Sequence, residues 1–215
     1  MKTLLQINSS LNLSNDKSSQ LAERLVDQWR SANSDGRVVT RDLVEDPVPH
    51  LDQATLQAFA ASAQQRSASQ QVAVALSDTL IWELDAGDVL VLGLPMYNFG
   101  VPSTLKAYFD HIARAGVTFR YTANGPQGLM SGKKAYVAAA RGGRYVGTPR
   151  DTQSAYVRDF LAFIGISDVE FIYAEGLASA DGGDALEGGK HRNRKASCLN
   201  PKATFSTPRF WSTQQ

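Results

Sequence analysis

The chain has 215 residues, with 22 Lys plus Arg against 21 Asp plus Glu and a net charge of +1. That length suits one domain with its own core, and the balanced charge disfavours a basic nucleic-acid footprint or a polybasic membrane anchor. A single cysteine, Cys198, excludes an internal disulfide and a multi-cysteine zinc site.

The start, MKTLLQINSS, turns polar too soon for a secretion signal, and no apolar run nears the roughly 18 residues of a membrane span. A cytoplasmic protein is expected. In chain order, TLLQI at 3–7 is the first strand. Residues 19–32 follow as a helix with Leu21, Leu25, Val26 and Trp29 on one face. RVVTRD at 37–42 is a weaker strand. Residues 46–66 read as a long connection. Residues 68–84 repeat the helical period through Val72, Leu76, Leu80 and Leu84. DVLVLGL at 88–94 is the most apolar strand, of the kind covered on both faces. Pro102 opens a helix to Ala113. Residues 117–132 read as a hairpin turning at Asn124-Gly125-Pro126. AYVAAA at 135–140 is a strand, 153–164 a helix with Tyr156, Phe160, Phe163 and Ile164, and 169–174 a last strand. This alternation predicts an α/β fold with a parallel sheet, and its five strands fit a flavodoxin-like, doubly wound sheet; the order 2-1-3-4-5 is what that fold brings with it and is not read from the sequence.

From Ala178 the period is lost, and glycine pairs, serines and basic residues dominate. The chain thus divides into a domain at 1–177 and a tail at 178–215 that reads as disordered. The body carries 16 basic and 18 acidic residues, and the tail 6 and 3, so the near-neutral total averages two unlike segments. A shifted reading frame would produce such a change, and resequencing around codon 178 tests that.

Ligands of a doubly wound sheet bind beyond the carboxyl ends of its strands. Three loops leave such ends. NSSLNLSNDKSSQ (8–20) is rich in hydroxyls and leads into a helix N-terminus, which favours a phosphate held with Ser10, Lys17 and Ser18. It is neither GxxxxGK[ST] nor GxGxxG. LPMYNFGVPS (94–103) puts Met96, Tyr97, Asn98 and Phe99 where a planar ligand could pack. ARGGRYVG (140–147) offers two glycines for close approach and two arginines for an anion. Together they describe a seat for a flat, heteroaromatic ligand with one phosphate, which suits FMN better than a dinucleotide. His111 reads as a structural histidine of its helix. No acid–base pair stands out.

These residues carry a resemblance. Ser9-Ser10, PMYNF at 95–99, LKAYFDHIARAGVTFRYTANGPQGL at 105–129, RGG at 141–143 and FLAFIGISDVEFIYAEGL at 160–177 resemble the FMN-dependent NADH-azoreductase and quinone reductase family. The resemblance implies a homodimer that binds FMN and reduces quinones and azo compounds by two electrons from NADH, with NADPH as another donor, in ping-pong fashion. It places Ser10, Asp16, Lys17 and Ser18 at the FMN phosphate, and Met96, Tyr97, Asn98 and Phe99 along the ring. Ala140, Arg141, Gly142 and Gly143 fall at the pyrimidine side, and Phe119, Tyr121 and Phe163 in a substrate pocket at the dimer interface. No catalytic residue and no metal are implied. Two positions depart from the family: Asp16 puts a carboxylate beside the phosphate, and Ala140 stands where serine is common. A non-catalytic reading, an FMN electron carrier or flavin sensor, is separated from an enzyme by turnover with NADH and a quinone.

Overall fold

The computed structural model describes residues 1–12 and 16–178. The elements are β1 (Thr3–Asn8), α1 (Lys17–Ala32), β2 (Arg37–Asp42), α2 (Gln53–Ala60), α3 (Ala68–Ala86), β3 (Val89–Pro95), α4 (Ser103–Ile112), β4 (Phe119–Thr122), β5 (Gly125–Gly128), β6 (Lys134–Ala140), α5 (Thr152–Ile164) and β7 (Asp168–Ala174). Five strands form one parallel sheet in the order β2-β1-β3-β6-β7, and β4-β5 form a separate antiparallel hairpin. The anticipated 2-1-3-4-5 therefore reads 2-1-3-6-7 in full strand numbering, because the two hairpin strands lie outside the sheet. The tail expected at 178–215 lies, apart from Ala178, outside the described residues.

Every residue of β3 is buried, as its continuous apolar run requires of a central strand. Alternate side chains feed two cores. On one face Leu4, Val89, Val91 and Ala138 pack with Ala22, Leu25, Val26 and Trp29 of α1. On the other, Leu5, Ile7, Leu90, Leu92 and Val137 pack with α3, α4 and α5. Among the described residues no helix is long and apolar enough to cross a membrane.

Three local expectations need correction. The connection at 46–66 holds a two-turn helix, α2, whose N-cap Asp52 accepts from the Thr55 N–H at 2.7 Å. Only Ala58 of α2 is buried, so no apolar stripe announced it. Helix α3 buries Val74, Ser77, Leu80, Ile81 and Leu84 and leaves Val72 in solvent. Helix α5 sets its deepest contacts with Gln153, Val157, Leu161 and Ile164, one position round from the aromatic stripe of the sequence reading. Those aromatics pack sideways instead: Phe160 stacks on Phe109 at 4.0 Å between centroids.

Candidate functional site

Strand β1 leaves the sheet towards β2 on one side, while β3 and β6 continue to the other, so a crevice opens at their carboxyl ends. A surface groove of about 250 Å³ lies there. Ser10, Asn12, Asp16, Lys17 and Ser18 form one end; Pro95, Met96 and Tyr97 form a wall; Ala140, Arg141, Gly142 and Leu177 form the other. The fold thus brings nine of the anticipated site residues to one groove. Asn98, Phe99 and Gly143 adjoin it in chain but do not line it, nor do Phe119, Tyr121 and Phe163. Those last three form their own aromatic cluster at the hairpin. Phe119 and Phe163 lie 4.3 Å apart, and Tyr121 stands edge-on to Phe119 with three-quarters of its surface exposed.

Helix α1 points its N-terminus into the first end. Asp16 is its N-cap, and its carboxylate accepts from the Ser18 N–H at 2.9 Å, the Ser18 hydroxyl at 2.7 Å and the Ser19 hydroxyl. Two expectations change here. Ser18 gives its hydroxyl hydrogen to Asp16 rather than offering it to a ligand. Asp16 turns back onto the helix, because an N-cap carboxylate is drawn to the unpaired N–H groups of the first turn. Ser10 bonds the Tyr97 hydroxyl at 3.2 Å, and the Leu11 N–H donates to the same oxygen at 3.0 Å. Tyr97, expected along a ring, therefore also ties the second loop to the first.

The second loop is a tight turn. Tyr97 and Gly100 exchange N–H···O bonds of 3.2 and 2.9 Å, and Asn98 and Phe99 between them take φ of 50° and 65°. Two consecutive left-handed residues are the signature of a type I′ turn, usually built from Asn and Gly. Asparagine accepts that region readily; a bulky Phe does so only under outside restraint.

Arg141 departs furthest from its anticipated part. Its guanidinium is fully buried and paired with Asp151 at 2.9 Å and Glu175 at 3.4 Å. It also donates to Ser154 Oγ at 3.0 Å and lies 5.0 Å from the Tyr173 ring centre. A buried guanidinium needs such partners, so what position 141 offers the groove is main chain rather than an anion-holding charge. Burial raises the Asp151 carboxyl, but the Arg141 and Ser154 hydrogen bonds carry it below its ordinary value. Glu175 further accepts the N–H groups of Tyr145 and Val146 at 2.8 and 3.0 Å, and so shapes the 141–147 loop. Beyond β7 the chain pairs with that loop: Leu177 N–H donates to Arg141 O at 3.2 Å and Ala178 N–H to Gly142 O at 3.1 Å. Sequence reasoning missed Pro95, Leu177, Glu175 and the Asp151–Ser154 turn. The PMYNF motif at 95–99 contained Pro95 and the AEGL motif at 174–177 contained Glu175 and Leu177, so these were the signals for part of this set.

A flavodoxin-like fold family model matches residues 1–195. The chain belongs to this flavodoxin-like family. Within the family, the FMN-dependent NADH:quinone oxidoreductase of Cellvibrio japonicus is 56% identical over 191 residues, 89% of this chain and 96% of that protein. The protein of the same name from Azotobacter vinelandii is 49% identical over 91% of this chain and 97% of its own length. Among solved structures, an azoreductase from Bacillus anthracis superposes with a TM-score of 0.81 at 26% identity, over 88% of this chain and 95% of that one. An FMN-dependent NADH-azoreductase from the same species, in complex with FMN, gives 0.79 at 25% identity over 88% and 94%. The family match thus spans all three groove loops.

Proposed function

We propose that this chain is an FMN-dependent oxidoreductase that reduces quinones and azo compounds with electrons from NADH. The observation that carries the reading is the convergence of three loops on one groove whose two ends differ in chemistry. One end has hydroxyls, Lys17 and the N-terminus of a 16-residue helix, a natural anion seat. The other has Pro95, Met96, Ala140 and Gly142, which suit the face and edge of a flat ring. FMN has that same polarity, one phosphate and one planar ring system, and the 49–56% identical relatives carry it in their names.

In this reading Ser10, Lys17 and the first turn of α1 hold the phosphate, with Ser18 buried beneath them. Met96 and Tyr97 run along the ring with Asn98 and Phe99 in the turn just beyond them, and the main chain of 140–142 meets its pyrimidine edge with Gly143 next in the loop. FMN, when bound, supplies two-electron transfer between NADH and the acceptor. The protein's part is to orient both partners over one ring. NADH, a proton and a quinone give NAD⁺ and a hydroquinone; cleavage of an azo bond to two amines takes four electrons and so two NADH. Donor and acceptor use the same groove in turn, which makes the kinetics ping-pong.

Each groove is completed by a second copy in a homodimer. Tyr121 is the supporting observation: an aromatic side chain 76% exposed on the β4-β5 hairpin and edge-on to Phe119, which itself packs on Phe163, gives a second chain an aromatic surface to meet. Light scattering of the purified protein tests the dimer. Steady-state oxidation of NADH with a quinone acceptor tests the activity, and parallel double-reciprocal lines are expected. FMN-loaded protein that turned over neither NADH nor NADPH would sink the enzyme reading.

A further inference from the structure

Four consecutive side chains open α5: Asp151, Thr152, Gln153 and Ser154. All four reach out of their helix, and they divide between two of the groove loops. The outer pair, Asp151 and Ser154, accept from the Arg141 guanidinium at 2.9 and 3.0 Å. Arg141 heads the 141–147 loop. The inner pair serve the other loop: the Thr152 hydroxyl donates to Phe99 O, and Gln153 Nε2 donates to Pro95 O at 2.8 Å and Gly100 O at 2.7 Å.

Gln153 is 1% exposed, an unusual place for a glutamine, and its amide oxygen is buried with no partner among the described residues. Its value lies in its nitrogen. One –NH₂ group has two donors at a fixed angle, and here both are used, one on each side of the Tyr97–Gly100 turn. Met96 to Phe99 lie between those two bonds, Asn98 and Phe99 with positive φ among them. A turn with a bulky left-handed residue persists only when its surroundings over-determine it. Gln153 and Thr152 supply that restraint, and a buried glutamine with one orphaned oxygen is the cost accepted for it.

We propose that the first turn of α5 is a shared anchor that holds both ring-side loops in one geometry, with Gln153 the positioning residue for the 96–99 turn. Its consequence for the flavin rests on the FMN reading above; the anchoring itself does not. Because Asp151 and Ser154 grip one loop and Thr152 and Gln153 the other, a disturbance on one side of the turn is felt on the other. Tyr97 passes it on to Ser10 and Leu11, so the three loops respond together.

The test compares wild type with Gln153→Leu, Ser154→Ala and the double variant, each as full chain. Four quantities are read: FMN dissociation constant by fluorescence quenching, flavin midpoint potential, hydrogen exchange of peptides 95–101 and 141–147, and urea unfolding without FMN. Gln153→Leu is expected to weaken FMN about tenfold, as the loss of a buried bond to Pro95 O and a part-buried one to Gly100 O implies. It should shift the potential and speed exchange in both peptides. The double variant should bind FMN less weakly than the product of the two single effects. Altered unfolding with unchanged FMN affinity, potential and exchange makes Gln153 structural only and overturns its role. A simple product of effects, with exchange rising only in the loop each variant touches, overturns the shared anchor. If wild type binds no FMN, the flavin reading fails, and exchange of the two peptides still decides the anchor. Should Gln153→Leu not fold, Thr152→Val removes only the bond to Phe99 O. It is expected to act in the same direction by a smaller factor; no change in affinity or exchange would overturn the role of this turn.

Discussion

Asp16 sits where the electrostatics of the groove are least favourable to a phosphate, and its geometry shows why a carboxylate is tolerated there. It takes the first-turn donors of α1 for itself through Ser18 and Ser19. Those donors are what an anion at a helix N-terminus would otherwise use. The cap and the ligand therefore compete, and substitution separates them. Asparagine at this position keeps a capping oxygen and drops the charge; alanine loses both. Asp16→Asn is expected to leave the urea midpoint nearly unchanged and to tighten FMN binding. Asp16→Ala is expected to cost about 1 kcal/mol of stability, the ordinary value of an N-cap. Isothermal titration and urea unfolding measure the two effects, and weaker FMN binding by Asp16→Asn contradicts the competition. The residue identity was visible in the sequence, but its orientation was not, since only the folded helix shows which donors it takes. The same is true of Arg141. Its partners Asp151 and Glu175 are 10 and 34 residues away, so a glycine-rich loop with an arginine looked like an anion site.

At the scale of elements, what was legible in the sequence were the features with a period. Strand β3 announced itself because all seven residues are buried and apolar. The hairpin did so through Asn124-Gly125. Helix α2 was hidden because it buries only Ala58 and so shows no apolar stripe; its half-buried Phe59 packs edge-on to the His111 ring of α4 at 5.9 Å. His111 is fully buried, and among the described residues neither ring nitrogen makes a well-formed hydrogen bond. Arg114 lies over the same Phe59 ring, 5.0 Å from its centre. Burial lowers the His111 pKa, only partly opposed by the Pro49 carbonyl and by Asp110 and Asp52. The folded protein thus keeps this imidazole neutral at a pH where the unfolded chain takes up a proton. Stability from this site is complete above the unfolded value of 6.5 and is lost as pH falls through it towards the lowered folded value. Wild type is expected to lose stability between about pH 7.5 and 5.5, with α2 the first element to exchange. His111→Leu should have a flatter profile over that range. Equal slopes for the two proteins contradict the assignment. A second element contact is purely steric. A Cβ on Gly128 of β5 would overlap the Ile164–Gly165 backbone at the end of α5, where Met130 N–H also donates to Ile164 O at 2.8 Å. Backbone cannot yield as a side chain can, so Gly128→Ala is expected to destabilise by about 1–3 kcal/mol or more and to free the hairpin. Thermal unfolding and exchange of residues 119–128 check both, and a variant as stable as wild type removes this contact as the hairpin's anchor.

For the molecule as a whole, the groove is a consequence of topology. The chain crosses from β1 to the β2 edge and then back past β1 to β3, which leaves the loops after β1, β3 and β6 facing one crevice. The βα alternation made a parallel sheet with loops at its strand ends legible, but the strand order came only with the fold, and the bonds that lock the loops to one another join residues up to 87 apart and were not legible at all. A ligand that spans all three loops binds the folded chain and not the unfolded one, so it must raise the melting temperature. FMN at a hundred times its dissociation constant contributes about 2.7 kcal/mol, which for a chain of this size is a rise of about 5–10 °C. Riboflavin has the same ring without the phosphate and leaves the α1 end of the groove unused. At equal concentration it is expected to give a clearly smaller shift. The comparison also reads Lys17, since Lys17→Gln should reduce the FMN shift and leave the riboflavin shift alone. Equal shifts from FMN and riboflavin would mean that the N-terminus of α1, with Ser10 and Lys17 beside it, does not seat the phosphate.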